Sequence, residues 1–201
     1  MFPFLPQHVQ DELAQLAHSY SQPLVQIADL AGDDSYNPLR KMDERYGEAC
    51  MVVRRTNGRL LTMIKASYPR GAYRLPTGGV NPGERILDAL LRETMEETGL
   101  QVEVRRFLAA VAYRTSNSRE RPVFYTFAFL LDEVGGTLGA IDLSEEVEDF
   151  REIEPDELLT IAQHLSNVAP TEGSDNMDGH LRDWGEFRAV IHRAVWKALN
   201  E

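Results

Sequence analysis

One cysteine in 201 residues, Cys50, is too few for an internal disulfide or a thiolate-held metal cluster, so any metal here must be held by oxygen or by histidine. Long apolar runs are absent as well. No window approaches the ~20 apolar residues of a membrane-crossing helix, so no membrane span is expected. The opening MFPFLPQHVQDEL has neither the basic lead nor the apolar stretch of a secretory signal, and with the unpaired thiol this sets the expected location as cytoplasmic. Cations are in deficit: 21 Lys and Arg against 32 Asp and Glu leave a formal net charge of −11. A broad nucleic-acid surface depends on pooled lysine and arginine and is thereby excluded. A small anionic ligand remains admissible wherever a metal or local arginines supply positive charge. Internal repeats and low-complexity tracts are also missing.

What is present is the composition of a soluble globular protein, 43% hydrophobic and 26% charged, at a length that suits one domain with an appendage. Residues 1–47 read as an N-terminal helical extension, with Val9, Leu13, Leu16 and Ala17 on one apolar face and a polar break at Gly32 to Tyr36. Near residue 48 the pattern changes. The runs ACMVVRR and LLTMIK flank Thr56-Asn57-Gly58, a strong hairpin signal. A third short strand is expected at Ala72 to Leu75, followed by the glycine-rich loop TGGVNPGE and a helix from Glu84 to Thr98 stopped by Gly99. VEVRRFLAAVAYRT and VFYTFAFLL predict two more strands, joined by SNSRERP, and VEDFREI predicts another. PDELLTIAQHL reads as a helix, APTEGSDNMDGH as a surface loop, and the chain closes on a helix with Trp184, Phe187, Ile191, Val195 and Ala198 along one side. This order makes residues 48–201 an α/β domain with helices layered on a mixed sheet.

Within GGVNPGERILDALLRETMEETGL, residues 78–100, Glu93, Glu96 and Glu97 stand at i, i+3 and i+4 of the predicted helix and share a face. Leu87, Leu90, Leu91, Thr94, Met95 and Thr98 fall on a neighbouring, mainly apolar arc. Like charges at i and i+4 repel, where a solvated face would alternate sign, so the cluster calls for a cation between its members. Oxygen donors at this spacing suit hard divalent ions, Mg²⁺ or Mn²⁺. The glycines at 78, 79 and 83 let a loop turn tightly against the helix N-terminus, a place that favours phosphate. Arg92 and Glu84 are spaced to pair and hold that loop on the helix.

Gly78, Glu84 and the run Arg92-Glu93-Thr94-Met95-Glu96-Glu97-Thr98-Gly99-Leu100 together resemble the Nudix box, the 23-residue signature of metal-dependent pyrophosphohydrolases. Thr94 stands where an aliphatic residue is usual. The resemblance extends over roughly residues 48 to 160 and implies an α/β/α sandwich around a mixed sheet. It further implies hydrolysis of a nucleoside diphosphate linked to another moiety, with ADP-ribose or a related sugar nucleotide preferred. By the same resemblance, Glu93, Glu96 and Glu97 would ligate Mg²⁺ or Mn²⁺ with the backbone carbonyl of Thr77, while Gly78, Glu84 and Arg92 would support them. The water would lose its proton to Glu146, chosen over Glu145 from the acidic segment LSEEVEDFREI, or to Glu96 within the box.

Arg119 and Arg121 are candidates to grip phosphates, although loop arginines commonly serve solubility alone. His164, His180 and His192 show no ligand spacing and are expected on helical surfaces. Trp184 and Phe187 could stack on a base, but their periodicity points to core packing. Two other readings stand beside the enzyme: a Nudix-fold module that binds a nucleotide derivative without cleaving it, and an acidic protein whose helix face meets a basic partner. The apolar faces of the N-terminal arm and the last helix lead to an expected homodimer.

Overall fold

The computed structural model describes residues 2–32, 45–168 and 181–201; most of the polar break after Gly32, the loop at 169–180 and His180 lie outside them. Helix α1 (Gln7–Tyr20) leads into strand β1 (Leu24–Asp29), then come β2 (Gly47–Arg54), β3 (Leu60–Lys65) and β4 (Thr77–Gly79). Helix α2 (Ile86–Thr98), the long strands β5 (Leu100–Arg114) and β6 (Phe124–Gly136), a 3-10 turn at Leu143–Glu145, β7 (Val147–Ile153), α3 (Glu157–Ser166) and α4 (Leu181–Asn200) complete it. Among the described residues these strands form one mixed sheet, in the order β1-β5-β6-β2-β3-β7, with β4 paired to β2. β1 is parallel to β5 and β2 to β6, while the other pairs are antiparallel. The layering is the expected α/β sandwich.

The N-terminal arm contributes more than the helix its sequence suggests. Its strand β1 adds an edge to the sheet, pairing Leu24 with Ala109 through Asp29 with Arg114. Leu24 and Ala28 face the core while Val25 and Ile27 are exposed, so the strand is covered on one side only. The apolar stripe of α1, Val9, Leu13, Leu16 and Ala17, packs on the sheet beside Phe107 and Phe129. On the opposite sheet face, Trp184, Phe187, Ile191, Val195 and Ala198 of α4 are all buried in the core formed with α3. Trp184 tilts against Tyr68 at 5.2 Å between ring centres and Phe187 against Tyr113 at 4.6 Å, so these rings are core packing. The two apolar faces from which a homodimer was expected are thus covered by the chain's own sheet and need no second copy.

The strand arrangement around β4 sets up the site. Gly58 takes the left-handed conformation (φ 88°) and Asn57 Oδ1 accepts the Arg59 N–H, so the turn forms as the Asn-Gly pair predicts. Yet β2 and β3 pair only at Arg54 and Leu60 and then part, and β4 enters the gap, pairing Cys50 with Thr77, Ala49 with Gly78 and Glu48 with Gly79. The strand expected at Ala72 to Leu75 is reduced to a single bridge between Arg74 and Met63. Three residues thought to be loop form the strand instead, because the partner edge of β2 is open there.

Candidate active site

Helix α2 follows the β4 turn and ends as predicted: Gly99 adopts φ 67° and its N–H closes on the Met95 carbonyl at 2.9 Å. The buried positions are Ile86, Ala89, Leu90, Glu93, Thr94, Glu97 and Thr98, whereas Leu91 and Met95 are exposed. The apolar arc is therefore displaced by about one residue from the sequence reading. Glu93 and Glu97 lie inside the buried stripe, at positions where an ordinary amphipathic helix would carry leucine. Thr94 is fully buried and ties its hydroxyl to the Leu90 carbonyl at 2.6 Å, which accounts for threonine in an apolar setting.

Two cations bridge these carboxylates. Arg92 Nη1 lies 2.8 Å from Glu93 Oε1 and 3.0 Å from Glu96 Oε2. The same guanidinium makes a bidentate pair with Glu84, Nε to Oε1 at 2.8 Å and Nη2 to Oε2 at 2.9 Å, and Nη2 reaches the Gly79 carbonyl at 3.2 Å. Glu84 also accepts the Asn81 N–H, and the Arg92 bond first of all holds its carboxyl below the usual range. The loop between β4 and α2 is thereby clamped to the helix. Lys65, at the end of β3, places Nζ 2.8 Å from Glu97 Oε1 and 2.5 Å from Glu145 Oε2. Burial works against the Lys65 ammonium, but Glu97 and the Glu145 bond outweigh it and hold its pKa up.

Glu97 is fully buried; the Lys65 ammonium lies against Oε1, and Oε2 has no hydrogen-bond partner among the described residues. Burial pushes its pKa up to about 7, against the opposing charges of Lys65 and Arg74. Glu93 is raised in the same way, chiefly by burial, with Arg92 opposing and Glu145 and Glu96 adding to it. No three Asp, Glu, His or Cys side chains among the described residues are already gathered as a coordination shell. The donor chemistry nevertheless fits a hard divalent ion: three carboxylates, two of them in the buried stripe, with Glu97 Oε2 left without a partner among the described residues.

Gly78 has a specific reason to be glycine. A Cβ at this position would fall inside the Glu93 carboxylate. Gly78→Ala is expected to lower Mn²⁺ affinity roughly 10–100-fold by turning Glu93 aside, the range typical of groups that orient a ligand. Mn²⁺ titration of the purified variant checks this, and wild-type affinity would remove Gly78 from the site.

Of the acidic pair in the segment before β7, Glu145 is the one held at the cluster, through Lys65. Glu146 is exposed, with φ 53°, and contributes only its backbone carbonyl to the Ala66 N–H. This segment is tied to the C-terminal end of α2, because the Ile141 and Asp142 N–H groups both point to the Glu96 carbonyl, at 2.9 and 3.3 Å. Arg119 and Arg121 are not brought to the carboxylates. Both are exposed: Arg119 acts on Asp29 at the end of β1, and Arg121 lies over the Phe4 ring at 6.0 Å. With Phe4, Tyr46 and Tyr125, Arg121 lines a separate hollow of about 340 Å³.

The buried Arg74 was missed in the sequence, as were Lys65 and the contacts made by α4. Arg74 donates to the Leu75 carbonyl at 2.8 Å, to Thr77 Oγ1 at 3.0 Å and to the Tyr68 hydroxyl. His164 is exposed as expected, but His192 is fully buried. Its Nε2 accepts the Leu75 N–H at 2.9 Å, which leaves the proton on Nδ1 to donate to the Arg188 carbonyl at 2.7 Å. Burial keeps this imidazole neutral, with a pKa near 3. A lone histidine in a helix carries no periodic signal for such a role.

The NUDIX domain profile matches residues 45–171. An ADP-ribose pyrophosphatase of Methanocaldococcus jannaschii is 34% identical over 99 residues, which cover 49% of this chain and 57% of that protein. Nucleoside triphosphatase NudI of Escherichia fergusonii is 35% identical over 104 residues, covering 49% of this chain and 71% of its own. The chain thus spans little more than half the length of the first of these relatives. Among solved structures, an ADP-ribose pyrophosphatase from Streptococcus suis aligns with a TM-score of 0.47 at 15% identity, over 77% of this chain and 92% of that one. No helix among the described residues is long and apolar enough to cross a membrane.

Proposed function

This chain belongs to the NUDIX family of hydrolases, and we propose that it cleaves the diphosphate linkage of a nucleoside diphosphate joined to another moiety, with ADP-ribose or a related sugar nucleotide as substrate. The observation that carries this reading is the Glu93, Glu96 and Glu97 cluster, in which Glu97 is fully buried with Lys65 beside one oxygen and, among the described residues, no partner on the other. Mg²⁺ or Mn²⁺ would be held by these three carboxylates and the Thr77 carbonyl, and when bound would neutralise phosphate charge and lower the pKa of water. Arg92 takes one oxygen each of Glu93 and Glu96, leaving the other oxygen of each for that duty, while keeping Glu84 and the loop in place. Lys65, rather than Arg119 or Arg121, is the partly exposed cation beside the cluster that can meet a phosphate, while the buried Arg74 adds its charge from behind. The preference for ADP-ribose is supported by the name of the Methanocaldococcus relative; the NudI relatives point to nucleoside triphosphates instead.

A panel of ADP-ribose, nucleotide sugars and nucleoside triphosphates, incubated with Mg²⁺ or Mn²⁺ and resolved by chromatography, tests this. AMP and ribose 5-phosphate from ADP-ribose support it. Cleavage of triphosphates alone would overturn the substrate, and no cleavage of any of them the reaction.

The proton of the attacking water goes to a carboxylate on the segment before β7. Glu146 is the residue expected from the family pattern, but Glu145 has the better approach through its contact with Lys65. Glu145→Gln is expected to lower kcat at least about tenfold and Glu146→Gln less than about threefold, general-base contributions being typically 10²–10⁴-fold. Single-turnover rates for the two variants decide the assignment, and the reverse order returns the role to Glu146. Wild-type rates in both leave Glu96 as the base.

A further inference from the structure

Helix α4 starts well beyond the sequence signature, yet two of its residues grip the strand that carries Thr77. Arg188 and His192 stand one turn apart on α4. Arg188 Nη1 lies 3.0 Å from Thr77 Oγ1 and also 2.7 and 2.9 Å from the two oxygens of Glu48, the β2 residue opposite Gly79. His192 Nε2 takes the Leu75 N–H, and its ring is fixed by the Arg188 carbonyl behind it. All five of these groups are buried.

Between the two attachment points lies Pro76, which has no N–H and ties to the sheet only by accepting the Met51 N–H at 2.9 Å. β4 itself is three residues long. On its β2 side the segment is held by the β4 pairing and the Met51 bond, and away from β2 Leu75 and Thr77 are held by α4 together with Arg74, which donates to the Leu75 carbonyl and Thr77 Oγ1. The Arg188–Glu48 pair is poorly explained as a source of stability, since buried ion pairs are often matched by apolar residues of similar size. Its third contact, on Thr77, is what an apolar pair could not supply.

We propose that Arg188 and His192 are positioning residues for the cation site: by fixing Leu75 to Thr77 they set the Thr77 carbonyl, and with it Gly78 against Glu93, without touching substrate. This rests on the assignment of Thr77 and Glu93 as cation ligands under the proposed function. It makes α4 part of the active-site machinery.

The test uses the full chain. Mn²⁺ affinity is read by electron paramagnetic resonance on metal-free protein, with Tm in EDTA and steady-state kinetics alongside. His192→Leu removes the acceptor for Leu75, whereas His192→Gln can present an oxygen at nearly the same place. His192→Leu is expected to weaken Mn²⁺ binding about 10–100-fold and to lower kcat with KM for substrate within about threefold, and His192→Gln to recover most of both. Thr77→Val, which keeps the backbone carbonyl but removes the hydroxyl that accepts from both Arg188 and Arg74, should move Mn²⁺ affinity in the same direction. It also covers the case in which His192→Leu fails to fold. A His192→Leu variant with lowered Tm but wild-type Mn²⁺ affinity and kcat would overturn the inference, as would Thr77→Val without effect on Mn²⁺. Glu97→Gln is the control: if it loses Mn²⁺ while both of these variants keep it, only the positioning role fails. If wild type binds no Mn²⁺, the cation site falls and the inference with it.

Discussion

Glu97→Gln should lower kcat by about 10³-fold, on the order of 4 kcal/mol of transition-state stabilisation, while leaving the fold intact. The substitution keeps the side-chain volume in a position with no exposure and removes only the charge. Stability should move the other way. The folded pKa of about 7 lies above the ordinary 4.5, so below pH 4.5 both states carry the proton and the group costs the fold nothing. Between 4.5 and 7 the unfolded chain releases a proton that the folded one retains, and stability falls until the buried carboxyl ionises near 7. In EDTA, wild type should therefore lose Tm relative to Glu97→Gln as pH rises through this window, with the difference levelling off above 7. A side chain that improves stability when neutralised and destroys turnover at the same time is one retained for the reaction. Thermal melts across pH 4 to 8, paired with kcat, check both halves. A loss of less than about threefold in kcat would take Glu97 out of the cation site.

Chelation should abolish turnover, by more than about 10³-fold, and Mg²⁺ or Mn²⁺ should restore it. Without a divalent ion the carboxylates remain on Arg92 and Lys65, and neither cation reproduces the charge that a diphosphate requires. Ion binding should also be coupled to protons, because a ligand must be deprotonated. With Glu97 near pH 7, uptake at pH 6 should release about one proton and at pH 8 almost none, and apparent affinity should fall by up to about tenfold per unit below pH 7. Calorimetry of Mn²⁺ binding in two buffers of different ionisation heat reads the proton count directly. Undiminished turnover in metal-free buffer would sink the hydrolytic reading as a whole.

Local chemistry was enough to read the helix and its cap from the chain itself. Gly99 can close α2 because a glycine tolerates φ 67°, and Glu93, Glu96 and Glu97 share a side because 3.6 residues make a turn. The Arg92–Glu84 clamp was legible for the same reason: both partners lie on one helix and the loop before it. The long strands β5 and β6, the turn at Gly58 and the inward face of α4 also follow from periodicity and turn chemistry, which act over a few residues. Periodicity could not say that β4 would be a strand, since Thr77–Gly79 is defined by the open edge of β2 and not by its own composition. Nor could it find β1, whose half-covered edge position gives only a weak alternation. Lys65, Arg74, Glu145 and His192 reach the site from four separate elements or connections, and only the packing of sheet and helices brings them together. Which of Glu145 and Glu146 faces the cluster was undecidable in one dimension, because adjacent residues on an irregular segment have no fixed phase. The tether from Ile141 and Asp142 to the end of α2 sets that phase, and it exists only once the chain has folded.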